Sequence, residues 1–255
     1  MTSLHRVLPV LLLGSLALVS AGCDEPDEPD EQDYDDVAVA MSSLVASEEG
    51  EAAAMEDAIE LSTGEVPGGM QTAEDGTVHG AHGSLHYSYS IACANASGQA
   101  LASCDETTDT ADVEVAWDGS LSTSRYDTEV SREGTWSLAG LQSSHVTFEG
   151  SAGFELSSDF MALHREVERS LDLELRARYE GVELEPHTGR LEGTITYEID
   201  AERFAQRGDS RAEASFRVDA ELTFLGDGTA RLVLDGERSY RLELDSGELE
   251  LESAG

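Results

Sequence analysis

The sequence predicts a mainly β fold: one large antiparallel meander (barrel, half-barrel or sandwich) preceded by a short N-terminal helical segment. Three observations carry that expectation. From Leu85 onward, apolar residues recur with a period of two, the repeat of a strand that buries one face. The residues between them are polar or charged, which fits antiparallel strands with one wet face and not the uniformly apolar strands of a parallel sheet. Turn-type pairs punctuate the runs at Asp118-Gly119, Glu133-Gly134, Glu149-Gly150, Asp227-Gly228, Asp235-Gly236 and Ser246-Gly247. Apolar content of 40% is enough for a core.

At the N-terminus, Met1 to Arg6 carries one Arg, and Val7 to Val19 is an almost continuous apolar run of 13 residues. That run is shorter than the roughly 20 residues a transmembrane helix needs and fits the apolar region of a secretory signal peptide. Val19-Ser20-Ala21-Gly22-Cys23 follows. This motif resembles the lipobox of bacterial lipoproteins, with Ser20 where that family usually has an aliphatic residue. The resemblance implies removal of residues 1–22, acylation of Cys23 and a lipid-anchored protein of the cell envelope, facing the periplasm or the cell surface. It covers the export segment only. An ordinary signal peptide cleaved nearby is the alternative. Asp24 to Asp36 holds nine acids in 13 positions with two Pro; like-charge repulsion and Pro favour an extended tether, so residues 23–36 read as anchor and leash.

Residues 37–62 are rich in Ala and Glu without Pro, and Val37, Met41, Leu44, Val45, Met55 and Ile59 fall near helical spacing. Gly50 suggests a break, since an interior Gly costs about 1 kcal/mol against Ala. Residues 63–255 then form the β domain, beginning with a loop over Thr63 to Gly83. With Cys23 acylated, Cys93 and Cys104 remain, an even pair in an oxidising compartment. A bridge between them would close a loop rich in Ala, Ser and Gly and would contribute about 3 kcal/mol on the chain-entropy account.

Alternation is clear at Leu85-Tyr87-Tyr89-Ile91, Val113-Val115-Trp117, Leu171 through Tyr179, Ile195-Tyr197-Ile199 and Ala214 through Phe224. It continues in Leu232-Leu234, Tyr240-Leu242-Leu244 and Leu249-Leu251. Ten to twelve strands with short turns result, their apolar face hidden by curling or stacking. A transmembrane barrel also alternates, but the polar faces mix Glu and Arg densely, and fifteen aromatic residues are few for two interface girdles.

Charge removes further classes. Asp and Glu number 53 against 15 Arg and no Lys, a net charge of −38. Such a field repels phosphate, which excludes nucleic-acid binding, and opposes basic docking onto anionic lipid. The acid surplus suggests a saline habitat; a preference for Arg codons would explain the missing Lys but not the acids.

Catalytic signatures are few. His79, His82 and His86 sit close together beside Gly80 and Gly83, a density that would suit Zn or Cu. Read as one strand, His82 and His86 share a face and His79 does not; an exposed loop is the plainer reading. Glu149-Gly150-Ser151-Ala152-Gly153 has Glu where a nucleophile elbow has Gly. His145 follows Ser143 and Ser144, but adjacency in sequence is not triad geometry. No phosphate-cradling or dinucleotide loop is present, so no cofactor is expected. The leading functional expectation is a non-enzymatic, lipid-anchored envelope protein with a binding or structural role and an unidentified partner. One alternative is a carrier of a lipid or other apolar ligand. Lipocalins and the bacterial lipoprotein-carrier half-barrels show that a meander can do this, an analogy of fold alone. The other is a metal-binding protein or metal-dependent enzyme using His79, His82 and His86.

Overall fold

The computed structural model describes residues 26–46, 50–122, 126–161, 167–207 and 209–252. Two helices open it, α1 (Glu31–Ala46) and α2 (Glu51–Ser62), with Gly50 between them. Twelve strands follow: β1 (Gln71–Thr72), β2 (Val78–His82), β3 (Leu85–Asn95), β4 (Thr108–Ser122), β5 (Tyr126–Ala139) and β6 (Val146–Met161) come first. Then come β7 (Val167–Glu185), β8 (Arg190–Arg207), β9 (Ser210–Leu225), β10 (Thr229–Leu234), β11 (Arg238–Glu243) and β12 (Leu249–Leu251). All belong to one antiparallel sheet in strict chain order, with β1 and β12 as its edges. The expected meander is therefore present, as an open sheet.

The period-two pattern decides which face is buried. On β7, Leu171, Leu173, Leu175, Ala177 and Tyr179 are buried while Asp172, Glu174, Arg176 and Arg178 are exposed. Cross-strand neighbours keep that register: Leu175 lies opposite Phe154 and Ile199. A one-residue slip would turn every apolar side chain into water, so the pattern pins the register.

Three of the six expected turns are not turns. Gly119, Gly134 and Gly150 lie inside β4, β5 and β6. A Cβ on Gly150 would sit 2.1 Å from the Thr135 carbonyl oxygen, and one on Gly119 would sit 2.2 Å from that of Ser84. Here glycine permits close backbone approach, and Gly150 also marks a shift of register against β7. Asp227-Gly228, Asp235-Gly236 and Ser246-Gly247 do separate strands. The segment expected as loop, Thr63 to Gly83, contains β1 and β2.

The helical segment starts earlier than the acidic run implies. Asp30 Oδ1 accepts from the Gln32 and Asp33 amides at 2.9 and 3.0 Å, and Asp33 Oδ2 accepts from the Asp30 amide at 2.9 Å. This reciprocal cap, with acids placed at the positive end of the helix dipole, nucleates α1 at Glu31 and not after Asp36. Before it, the Asp27 amide donates to the Ser215 carbonyl at 2.7 Å, on a part of β9 that β10 does not cover. Glu31 to Asp36 therefore belong to the folded body and not to a leash.

Both helices lie on the apolar face, and their polar side chains tie them to strands across the sheet. Asp33, Asp35 and Asp36 of α1 pair with Arg203 of β8, Arg238 of β11 and Arg169 of β7. Residues of α2 bond to β2, β3, β5 and β7. Between them the two helices reach strands from β2 to β11 of one open twelve-stranded sheet.

Candidate functional site

The three histidines do not converge. His82 pairs with Leu85, Ala81 with His86 and His79 with Ser88 across the β2–β3 hairpin. Directly opposed residues share a face, so His82 lies with buried Leu85 on the apolar side, and His79 and His86 lie on the polar side. This corrects the expectation that His82 and His86 share a face: a two-residue turn at Gly83-Ser84 separates them, which a single continuous strand would not contain. Among the described residues no group of three or more His, Cys, Asp and Glu is placed to hold a metal ion. Cys23 lies outside the described residues. Cys93 and Cys104 are disulfide-bonded, with Cα atoms 5.4 Å apart. Ser144 Oγ lies 2.9 Å from His145 Nδ1 on an exposed loop.

The polar face carries recesses. One of about 1090 Å3 crosses seven strands and is lined by Asp118, Glu155, Asp172, Glu174 and Asp200 among others. Asp118, Glu155, Asp172 and Glu174 are exposed, and Asp200 is paired, with Arg217 at 2.6 Å and Arg176 at 3.3 Å.

The concentrated chemistry lies instead beneath α2. Glu51, the first residue of that helix, meets Arg132 of β5 in a bidentate pair: Nε donates to Oε2 and Nη2 to Oε1, both at 3.0 Å. The two side chains are 2% and 0% exposed. Arg132 Nη1 donates to the Val115 carbonyl at 3.0 Å, and the Tyr179 hydroxyl donates to Glu51 Oε1. The guanidinium carbon stands 4.3 Å from the Trp136 ring centroid and 5.6 Å from that of Phe154, within cation–π range. Tyr197 brings its hydroxyl into the same interior without a hydrogen-bond partner, as do the indole nitrogens of Trp117 and Trp136.

Electrostatics fix the protonation states. Burial opposes the charge of Arg132, but the Glu51 carboxylate outweighs it and holds the guanidinium above its ordinary pKa. Burial, then the Glu51 charge, push Tyr179 and Tyr197 well up, so both phenols keep their protons. A second contact fastens the middle of α2: Asp57 Oδ2 lies 2.9 Å from His82 Nε2 and 3.1 Å from the Tyr89 hydroxyl. Together these groups supply recognition: a fixed cation, protonated phenols and aromatic walls, all carried by strands, facing a carboxylate carried by a helix.

Sequence reasoning missed this cluster although a signal was present. Thr128, Val130, Arg132, Gly134, Trp136 and Leu138 form one inward row of β5, and Arg132 is its only charged member. Glu51 shares the apolar stripe of α2 with Ala54, Met55, Ala58 and Ile59. A charge on each of two apolar faces is a pairing signal. Comparison with protein-family models, with curated proteins and with solved structures found no match for this chain.

Proposed function

We propose that this protein is a non-enzymatic, lipid-anchored protein of the bacterial cell envelope that binds an apolar ligand on the apolar face of its sheet. Export and anchoring rest on the apolar run from Val7 to Val19 and the lipobox-like motif ending at Cys23. The observation that carries the binding role is the way the apolar face is covered. Two N-terminal helices, and not a second sheet, lie against it, and their polar side chains fasten them to strands. A helical cover of this kind can separate from the sheet without breaking the strand ladder, whereas the two sheets of a sandwich share their core permanently. The large apolar surface beneath is what such a ligand needs.

Native mass spectrometry of the protein extracted from its own membrane tests both parts. A mass carrying fatty acids at Cys23 and a second, dissociable lipid-sized species are expected. A mature chain without fatty acid would overturn the anchoring. A chain that neither co-purifies with an apolar molecule nor takes one up on titration would overturn the binding role.

A further inference from the structure

We propose that Arg132, Tyr179 and Tyr197 form a receptor for the carboxylate of a long-chain fatty acid, and that Glu51 of α2 occupies it as a built-in surrogate until the ligand displaces it. The inference rests on the reading that the apolar face binds an apolar ligand, and it names the polar end of that ligand.

The receptor is complete on the sheet side. Arg132 presents its planar fork, the geometry that matches a carboxylate with two parallel bonds, and its third bond, to the Val115 carbonyl, fixes the fork on β4 and β5. The Trp136 and Phe154 rings wall it from water. Tyr179 adds a hydroxyl donor from β7. The carboxylate alone comes from elsewhere, on α2.

Two features point beyond a structural role for the pair. A buried ion pair is no stability device in itself, because apolar residues of the same volume hold a core as well or better. Placing one charge on the cover and its partner on the sheet makes the contact exchangeable: a free carboxylate can take Glu51's place with no charge left unpaired in the interior. In addition, the Tyr197 hydroxyl is wholly buried, without a partner, and close enough to Glu51 and Arg132 to feel both charges. A carboxylate has about four acceptor sites, and one untied from a helix backbone can settle where Tyr197 also donates. The acyl chain would then lie where α2 now places Met55, Ala58 and Ile59. That helix of 12 residues is about 18 Å long, comparable with an extended long acyl chain.

The test titrates the full-length chain with oleate and with oleyl alcohol, which share the apolar chain and differ in the carboxylate. Calorimetry and tryptophan fluorescence are the readouts, since Trp136 stacks on Arg132. Glu51→Gln removes the charged competitor and keeps its shape; it should bind oleate at least tenfold more tightly than the native chain, with oleyl alcohol changed less than threefold. Tyr197→Phe in that background should weaken oleate alone. The double variant Glu51→Gln/Arg132→Met, which removes both charges, should bind the two ligands equally. Equal gains for oleate and oleyl alcohol in Glu51→Gln would overturn the receptor and leave the apolar-ligand reading standing. Binding of neither by a folded Glu51→Gln chain, checked by near-UV circular dichroism, would overturn that reading as well.

Discussion

On α2, the Asp57 carboxyl sits between His82 and Tyr89 at the edge of the apolar interior. Burial raises its pKa above the ordinary 3.8, and the bonds from His82 and Tyr89, which pull the other way, only partly offset it. The folded protein thus holds this proton to higher pH than the unfolded chain does. Its contribution to stability is fully present below the unfolded value and is lost as pH rises through the folded one. Asp57→Asn, which has no proton to lose, should therefore show its largest deficit against the native chain near pH 3. That deficit should shrink through the window just above 3.8, as read by urea unfolding at stepped pH. A deficit that grew with pH would mean that the His82 ion pair, and not burial, governs the site. At this scale the sequence was legible where side chains follow the alternation and illegible where a polar residue sits in an apolar row. Arg132 and Asp57 were missed because burial of a charge depends on a partner distant in sequence, Glu51 for one and His82 for the other.

Local signals compete along the acidic N-terminal run. Asp24 to Asp36 has the composition of a leash, yet Asp30-Glu31-Gln32-Asp33 closes a reciprocal cap, and Asp33, Asp35 and Asp36 each meet an arginine from a different strand. Composition describes the run as if in isolation; the arginines that neutralise it lie more than 130 residues downstream. Asp30→Ala should cost about 1 kcal/mol in chemical unfolding, as loss of a helix cap does, while Asp30→Ser should recover most of it. Glu28→Ala, in the exposed segment just before the cap, should change stability by less than about 0.5 kcal/mol. If the two alanine variants behaved alike, the cap would not be what starts α1. The strands were the most legible elements, because the period-two pattern is local and the meander pairs neighbours in sequence. Glycine was the least legible, since Asp227-Gly228 turns and Glu149-Gly150 does not. The difference is set by the neighbouring strand's backbone, 2.1 Å from where a Gly150 Cβ would stand.

Across the whole molecule the net charge is −38, and acids recur along the polar face of the sheet. The ladder places like charges directly opposite each other at Asp127 and Asp159, Glu155 and Glu174, and Glu174 and Asp200. The same holds for Asp172 and Glu202, Glu183 and Glu192, and Glu198 and Asp219. Opposed like charges destabilise a sheet, and arginines relieve only some of these positions, as Arg217 and Arg176 do at Asp200. Molar salt shortens the screening length to about 3 Å, less than the separation of such pairs, whereas at 0.01 M it is about 30 Å and the repulsion reaches across the face. The inner ion pair of Glu51 and Arg132 is shielded from salt by burial, so screening relieves the repulsive face while that contact of the cover holds. Melting in increasing NaCl should therefore raise Tm monotonically, by roughly 5 °C or more between 0.05 and 1 M, given the number of opposed pairs and the size of the domain. Sodium sulfate at equal ionic strength should give a larger rise, because it also strengthens apolar burial. A Tm that stayed flat or fell in NaCl would show that the arginines already balance the face, and would remove the saline habitat as the reason for its acids.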